Sequence, residues 1–303
     1  MSDRERLLEQ LRPVAFAIAY QMLGTVSEAE DVVQEALLRV HQALEAGEQI
    51  VAPSAFVATV TTRLAINELR SARARRVQYV GEWLPEPIVT DSSDDPAQHA
   101  EMADSLSLAM LVLLESLSPE QRAVLVLHDV FDYGYPEISG IIGKSEQNVR
   151  QLATRARRHV EQGRPRFQAT REQRDDLARR FFTAIEHGDL AGLEALLASD
   201  VMLTGDGGGK ARALPQPLHG RARVARTLDS WNREGMAGLS LRRVEVNGSP
   251  GALLLDANQR VVGALALDIA GGEVRDISYV VNPDKLTHLG TVGDHAALLR
   301  SAR

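Results

Sequence analysis

The sequence contains no cysteine, and this absence excludes disulfide bonds, thiolate metal sites and catalysis by a thiol. Its eight histidines show neither the H-x-x-x-H nor the H-E-x-x-H spacing of zinc sites. No apolar run approaches the roughly 18 residues that cross a bilayer. The charged, amphipathic N-terminus is unlike a signal peptide. We therefore expect a cytoplasmic protein with no metal, no cofactor and no membrane partner.

Charged residues are unevenly distributed, and one long stretch of the chain has no basic residue. The net charge is −7, which is unusual for a protein that binds DNA, but residues 63–76 sum to +4 and residues 150–166 to +5. Residues 77–104 hold no Lys or Arg and sum to −7. The pattern predicts two basic regions separated by a flexible acidic linker. A length of 303 residues is enough for two or three domains.

Residues 1–76 show helical periodicity throughout. Apolar residues recur at three- and four-residue spacing from Leu7 to Ala19, and Ser27 is expected to cap a second helix with an acidic first turn. A third helix is predicted from about Ser54 to Arg76. After the acidic linker, residues 105–165 are helical again, and the sequence from Ser118 to Gln121 predicts a capping box.

The sharpest local pattern is a helix-turn-helix within residues 135–160. Gly143 and Lys144 form the predicted turn, and Ser145 caps a second helix that presents polar and then basic side chains. In this arrangement the second helix enters the major groove of DNA. The alternative is a plain helical hairpin with a solvated basic face, which the turn glycine and the cap disfavour.

After about residue 170 the pattern changes to one or two helices followed by short β-like runs with glycine, Asp and Asn at the turns. We predict an α+β domain over residues 170–290 and a tail over 291–303.

Three segments of the chain, taken together, resemble the extracytoplasmic-function (ECF) sigma factors. TVSEAEDVVQEALLRVHQAL and AFVATVTTRLAINELRSARARR are similar to sigma region 2, and the helix-turn-helix is similar to region 4. The resemblance implies a transcription initiation subunit that binds core RNA polymerase, through the β′ clamp helices and the β flap, and promoter DNA. It implies two all-α domains, region 2 at 1–76 and region 4 at 105–165, joined by the linker at 77–104.

Three short motifs resemble group 41 of that family, whose members carry a C-terminal SnoaL-like domain of the nuclear-transport-factor-2-like cone fold. The motifs are WLPEP, DGGGK and NPDKL. This resemblance implies that residues 170–290 modulate sigma activity in cis, and we expect all three motifs to meet where the linker packs on the domain. The residues expected to make these contacts are Trp83, Leu84, Pro85, Asp206, Gly207, Gly208, Gly209, Lys210, Asn282, Pro283, Asp284 and Lys285.

The resemblance also assigns roles to residues of the two helical regions. Contact with core polymerase is expected from Asp31, Gln34, Glu35 and Leu38. The −10 promoter element is expected to contact Ile50, Val51, Pro53, Arg63, Asn67 and Arg70. The −35 element is expected to contact Ser145, Glu146, Gln147, Asn148, Arg150, Gln151, Arg155 and Arg158.

Two other functions stay open from the sequence. One is a helix-turn-helix repressor that senses a small ligand in a C-terminal cavity, and the other is an isomerase or cyclase of the SnoaL type. The second would need a cavity base, for which His187, Asp206, His219 and Asp268 are candidates by residue type. DGGGK lacks the Walker spacing, so we predict a tight turn there rather than a nucleotide site.

Overall fold

A computed structural model describes residues 3–76, 78–90, 107–163, 170–234 and 239–294. The chain divides into two compact units. The first comprises Met1–Gln78 and Leu113–Gly163, and the second comprises Tyr79–Val112 and Arg164–Arg303. Within the described ranges, no helix has the length and apolar character that crossing a bilayer requires, and no cluster of His, Asp and Glu could hold a metal ion.

The first unit is helical. Its elements are α1 (Asp3–Leu23), α2 (Val26–Glu45), α3 (Pro53–Arg76), the end of α4 (Leu108–Glu115), α5 (Pro119–Asp129), α6 (Tyr135–Ile142) and α7 (Glu146–Gly163). α1, α2 and α3 pack on one another through buried apolar stripes, as their three- and four-residue spacing predicts. The boundary between the units falls inside α4.

The predicted cap of α2 is wrong. The helix begins at Val26, with Thr25 at the N-cap position, and the Thr25 hydroxyl donates to Glu28 instead of capping the backbone. The physical reason is the tight connection before it. Gly24 adopts a left-handed φ of 74° just after α1 ends at Leu23, so only Gly24 and Thr25 separate the two helices.

The helix-turn-helix forms with the predicted turn chemistry. Ser118 and Gln121 make a reciprocal capping box at the start of α5. Gly143 ends α6 with a φ of 66°, a left-handed conformation that favours glycine. The Ser145 hydroxyl accepts a hydrogen bond from the Asn148 N–H at 3.3 Å, which caps α7. Val149, Ala153 and Ala156 of α7 are buried.

The second unit is the predicted α+β domain. It contains β1 (Val89–Thr90), the start of α4, α8 (Arg171–His187), α9 (Leu190–Leu196), β2 (Leu197–Asp206), β3 (Leu218–His219), α10 (Arg221–Glu234), β4 (Ser240–Val246), β5 (Ser249–Leu255), β6 (Val261–Ala270) and β7 (Glu273–Val280). Two short 3₁₀ turns, Pro283–Lys285 and Thr287–Leu289, follow. The strand order is β1-β4-β5-β6-β7-β2-β3, so β1 and β3 are the two edges.

The two faces of this sheet have different partners. On one face, side chains such as Leu203, Leu267 and Ile277 share a core with α8, α9 and α10. Phe181 and Phe182 of α8 lie in this core, and Tyr279 stacks edge-on against Trp231 at 5.0 Å. The opposite face carries the alternate residues and receives part of the predicted linker.

A pair of facing carboxylates on the opposite face leads to a first prediction. Asp276 lies directly across from Asp268 in the β6–β7 ladder. Burial, followed by the charges of Asp268 and Asp200, raises the pKa of Asp276 to about 6. For an acid whose native pKa is raised, stability is fully present below the ordinary pKa and is lost as the pH rises through the native pKa. Asp276→Asn should therefore stabilise the domain by about 1–2 kcal/mol at pH 8 and by clearly less at pH 4.5.

Thermal unfolding of the two proteins at both pH values checks this result. Asp284→Asn is a suitable control, because Asp284 is exposed on the same domain. Equal stabilisation by Asp276→Asn at both pH values would contradict the burial argument.

Candidate nucleic-acid interface and linker anchor

The predicted −35 residues lie on the outward face of α7. Gln147, Asn148, Gln151, Arg155 and Arg158 are all exposed, whereas Val149, Ala153 and Ala156 between them are buried. The exposed set runs from amides at the N-terminal end to guanidinium groups further along the helix. Amides can pair with adenine and guanidinium groups with guanine or phosphate, so this face has the chemistry for reading a major groove.

Tyr135 holds the recognition helix through contacts that the sequence did not predict. The Arg150 guanidinium lies over the Tyr135 ring at 4.6 Å and also donates to Glu146. Arg157, two turns later, donates to the Tyr135 hydroxyl at 3.2 Å and forms an ion pair with Asp129. The hydrogen bond to Asp129 is the main cause that raises the pKa of Arg157. These contacts fix α7 against α5 and α6.

The predicted −10 residues of α3 share one exposed face, but two of them already have partners. Arg63 donates to the backbone oxygens of Ile141 and Gly140, at 2.8 and 2.9 Å. These carbonyls are at the C-terminal end of α6, where the helix dipole favours a cation. Arg70 donates to Glu120 at 2.7 Å. Asn67 is exposed between them.

The Arg70–Glu120 contact is reflected in the acidity of the carboxyl group. Partial burial by itself would raise the pKa of Glu120, but the hydrogen bond and charge of Arg70 hold it below its usual range. Two guanidinium groups that were predicted to contact DNA are therefore bound within the first unit. Arg63 is bound by α6 of the helix-turn-helix, and Arg70 is bound by Glu120 of α5. A third arginine, the buried Arg122, donates to the Gln21 carbonyl and pairs with Glu115.

The predicted polymerase-binding residues occupy one side of α2. Asp31, Gln34 and Leu38 are exposed, and Glu35 beside them accepts from Arg39 at 2.7 Å. Leu38 keeps 48% of its surface exposed, which is unusual for a large apolar side chain in this protein. An apolar residue within an acidic helix face suits docking to a basic helical partner. Of the predicted −10 loop, Val51 is 95% exposed, and Ile50 and Pro53 are half-buried.

The linker motif WLPEP packs on the C-terminal domain around a buried ion pair. Asp206 is fully buried, and its carboxylate accepts from Lys285 Nζ at 2.7 Å and from the Leu84 N–H at 2.9 Å. Lys285 also donates to the Leu84 carbonyl, and its ammonium lies 4.3 Å from the Trp83 ring centroid. Both backbone groups of Leu84 are therefore bound by this pair, and its side chain is buried among Leu253, Val280 and neighbouring residues.

Tyr79 completes this anchor and was missed in the sequence. Its hydroxyl donates to Asp206 at 2.6 Å and accepts from the Asn282 amide at 2.8 Å. Burial, then the hydrogen bond to Asp206, raises the pKa of Tyr79. The available signal was an aromatic residue four positions before Trp83.

The glycine motif forms the predicted close turn beside the linker. A side chain at Gly208 would collide with Asn282 and approach the Tyr79 hydroxyl at 3.0 Å, and one at Gly209 would approach Val80. Gly207 accepts backbone hydrogen bonds from Lys210 and Ala211. Lys210 itself pairs with Asp284 at 2.5 Å, so these two residues bind each other rather than the linker.

Further residues on either side of residues 91–106 continue the linker contact. Pro85 and Glu86 are buried, and the Pro87 carbonyl contacts His288 at 2.7 Å. Pro283 opens the turn that carries Lys285. β1 then extends the sheet next to β4. Further along the chain, Leu108 packs with Val246 and Ala266, and Val112 packs against the Leu84 cluster.

The four candidate bases lie on four different elements of the domain. Asp206 is committed to Lys285 and the linker. His187 and His219 are exposed on α8 and β3, and Asp268 lies between Leu267 and Ile269 on the sheet face away from the helices.

Comparison with known proteins agrees with both units. Residues 7–75 match the family described as Sigma-70 region 2, and residues 107–160 match Sigma-70, region 4. The "ECF RNA polymerase sigma factor SigJ" of Mycobacterium tuberculosis is 35% identical over 290 residues, 92% of each chain. The "Probable ECF RNA polymerase sigma factor SigI" of the same species is 33% identical, over 90% of this chain and 91% of SigI. The crystal structure of SigJ superposes with a TM-score of 0.74 and 34% identity, over 92% of this chain and 96% of that one.

Proposed function

This chain belongs to the ECF RNA polymerase sigma factors, which direct polymerase to promoters, and we propose that its C-terminal domain restrains initiation in cis. The observation that supports this proposal is that two chain segments pack on the C-terminal domain. Residues 79–90 follow region 2, and residues 108–112 lead into region 4, and both groups pack on the same sheet face. A change in this domain would therefore reach both DNA-binding regions through the chain.

We infer restraint rather than activation from the contacts that the predicted −10 residues make. While the linker is anchored, Arg63 and Arg70 are bound by α6 and Glu120 within the first unit. These guanidinium groups must leave those partners before they can contact a promoter. We infer that the anchored linker favours this closed arrangement, and that core polymerase and promoter DNA favour an open one.

The remaining partner assignments belong to the same proposal. The exposed face of α2 with Asp31, Gln34, Glu35 and Leu38 binds the β′ clamp helices, and region 4 binds the β flap. The outward face of α7 reads the −35 element, and the exposed loop around Val51 with Asn67 contacts the −10 element. A ligand-sensing repressor is disfavoured, because it would have no use for a separate exposed acidic and apolar face on α2.

The test of restraint is run-off transcription with saturating core polymerase and three forms of the chain. These are the full chain, a chain ending at residue 169, and the full chain with Lys285→Met, which loosens the anchor but retains the domain. We expect the truncated chain to give several-fold more transcript than the full chain, and Lys285→Met to change transcription in the same direction by less. Equal transcription by all three would rule out control in cis.

A further inference from the structure

One stretch of the C-terminal domain is strongly basic in a chain whose net charge is −7. Residues 207–228 contain no Asp or Glu and carry five basic residues. Neither the linker anchor nor the two sigma regions account for this stretch. The basic residues are Lys210, Arg212, Arg221, Arg223 and Arg226.

The local structure presents three of these arginines rigidly to solvent. Ala211, Ala213 and Leu214 pack against the domain core, so Arg212 between them points outward. α10 buries Val224, Ala225 and Leu228 on its inner face, and Arg223 and Arg226 are exposed three residues apart. Residues at that spacing are neighbours on a helix surface. We call Arg212, Arg223 and Arg226 the basic strip.

Acidic partners are present beside many exposed arginines of this domain, although Arg180 and Arg242, like the basic strip, form no ion pair among the described residues. Arg179, Arg243 and Arg260 form ion pairs with Asp176, Glu186 and Asp256. Among the residues that the structure describes, no carboxylate lies within ion-pairing distance of Arg212, Arg223 or Arg226. Uncompensated positive charges held on a rigid surface attract a polyanion.

We propose that the basic strip binds the phosphate backbone of duplex DNA and gives the C-terminal domain a direct contact with nucleic acid. Guanidinium groups match phosphate geometry through paired N–H donors. Since phosphate contacts carry no sequence information, the contact adds affinity without changing the promoter read by regions 2 and 4.

The acidic stretch 91–104 of the same chain is a less suitable binding partner for the basic strip than DNA is. It begins immediately after Thr90 in β1, and β1 and β3 are opposite edges of the sheet. The strip adjoins β3, because Arg212 precedes that strand and α10 follows it. The acidic stretch therefore starts at the far edge of the domain, whereas DNA reaches the strip without that constraint.

The test measures binding of the full chain to a non-promoter duplex of about 60 base pairs, by fluorescence anisotropy between about 50 and 300 mM NaCl. The strip variant carries Arg212→Gln, Arg223→Gln and Arg226→Gln. The control variant carries Arg179→Gln, Arg243→Gln and Arg260→Gln, which changes the net charge equally but removes paired arginines. Thermal unfolding of both variants verifies that the domain remains folded.

Each phosphate contact contributes about 0.9 to the slope of log K against log salt, so the strip variant should lower that slope by about 2 to 3. Its affinity at the lowest salt should fall by roughly tenfold or more, with a much smaller change in the control. Equal slopes for the strip variant and the wild type would overturn the proposal.

Two further outcomes would identify a different occupant and equally overturn it. In the first, the strip variant keeps its DNA slope but binds core polymerase more weakly. In the second, it keeps its DNA slope while residues 91–104 become more sensitive to protease. Because the duplex lacks a promoter and polymerase is absent from the binding assay, failure here leaves the proposed control in cis untouched.

Discussion

Asn148→Ala should strongly reduce transcription that depends on this chain and core RNA polymerase. Asn148 is exposed at the N-terminal end of α7, where a side chain can reach a base edge, and a well-formed bidentate contact to a base contributes about 1–3 kcal/mol. That energy corresponds to a loss of roughly 5- to 150-fold. The measurement is run-off transcription on a pool of promoter fragments. Asn258→Ala is the matched control, because Asn258 is an exposed amide on the other unit.

Asp31→Ala separates polymerase binding from promoter reading in the same assay. Asp31 lies on the exposed face of α2, so its loss should lower transcription from all promoters alike and weaken the complex with core polymerase by about tenfold. Asp175→Ala, which changes an exposed acid on α8, should leave both unchanged.

Equal transcripts from Asn148→Ala and Asn258→Ala would refute the assigned −35 face. Tight duplex binding without any transcription would instead indicate a repressor.

Lys285→Met should destabilise the linker anchor by about 3–5 kcal/mol, whereas Lys210→Met should change stability by less than about 1 kcal/mol. Both lysines pair with aspartates in the same corner of the domain. Lys285 and Asp206 are buried, so removing the ammonium leaves a carboxylate without its counter-charge and out of contact with water. The Lys210–Asp284 pair is more than half exposed on both sides and is screened by solvent.

Hydrogen exchange in the full chain locates this effect. The Leu84 amide donates to Asp206, so its protection should fall sharply in Lys285→Met and remain in Lys210→Met. Combining Asp206→Asn with Lys285→Met should recover part of the lost stability, because the double variant buries no unpaired charge. Similar protection of Leu84 in the two lysine variants would show that the ion pair does not hold the linker.

The sequence by itself determined the elements whose signals are local. Helix periodicity, the Ser118–Gln121 box and the left-handed turn at Gly143 depend on neighbouring residues, and all appear as predicted. The exposed faces of α2 and α7 follow from the same spacing, although their partners stay proposals. The α2 cap was mispredicted, because the sequence signal at Ser27 was weaker than the geometric demand of a two-residue connection from α1.

Only the tertiary structure decided which distant residues meet. The motifs at Trp83, Asp206 and Lys285 were expected to converge, but the role of Tyr79 depends on contacts 127 and 203 positions along the chain. The occupation of Arg63 by the α6 carbonyls likewise joins residues separated by 77 and 78 positions. Backbone carbonyls carry no residue-specific signal, so no spacing pattern in the sequence reveals such a contact. Local chemistry specified the helices, the turn and the exposed faces. Packing of the chain decided which charged groups are bound by other residues and which remain exposed.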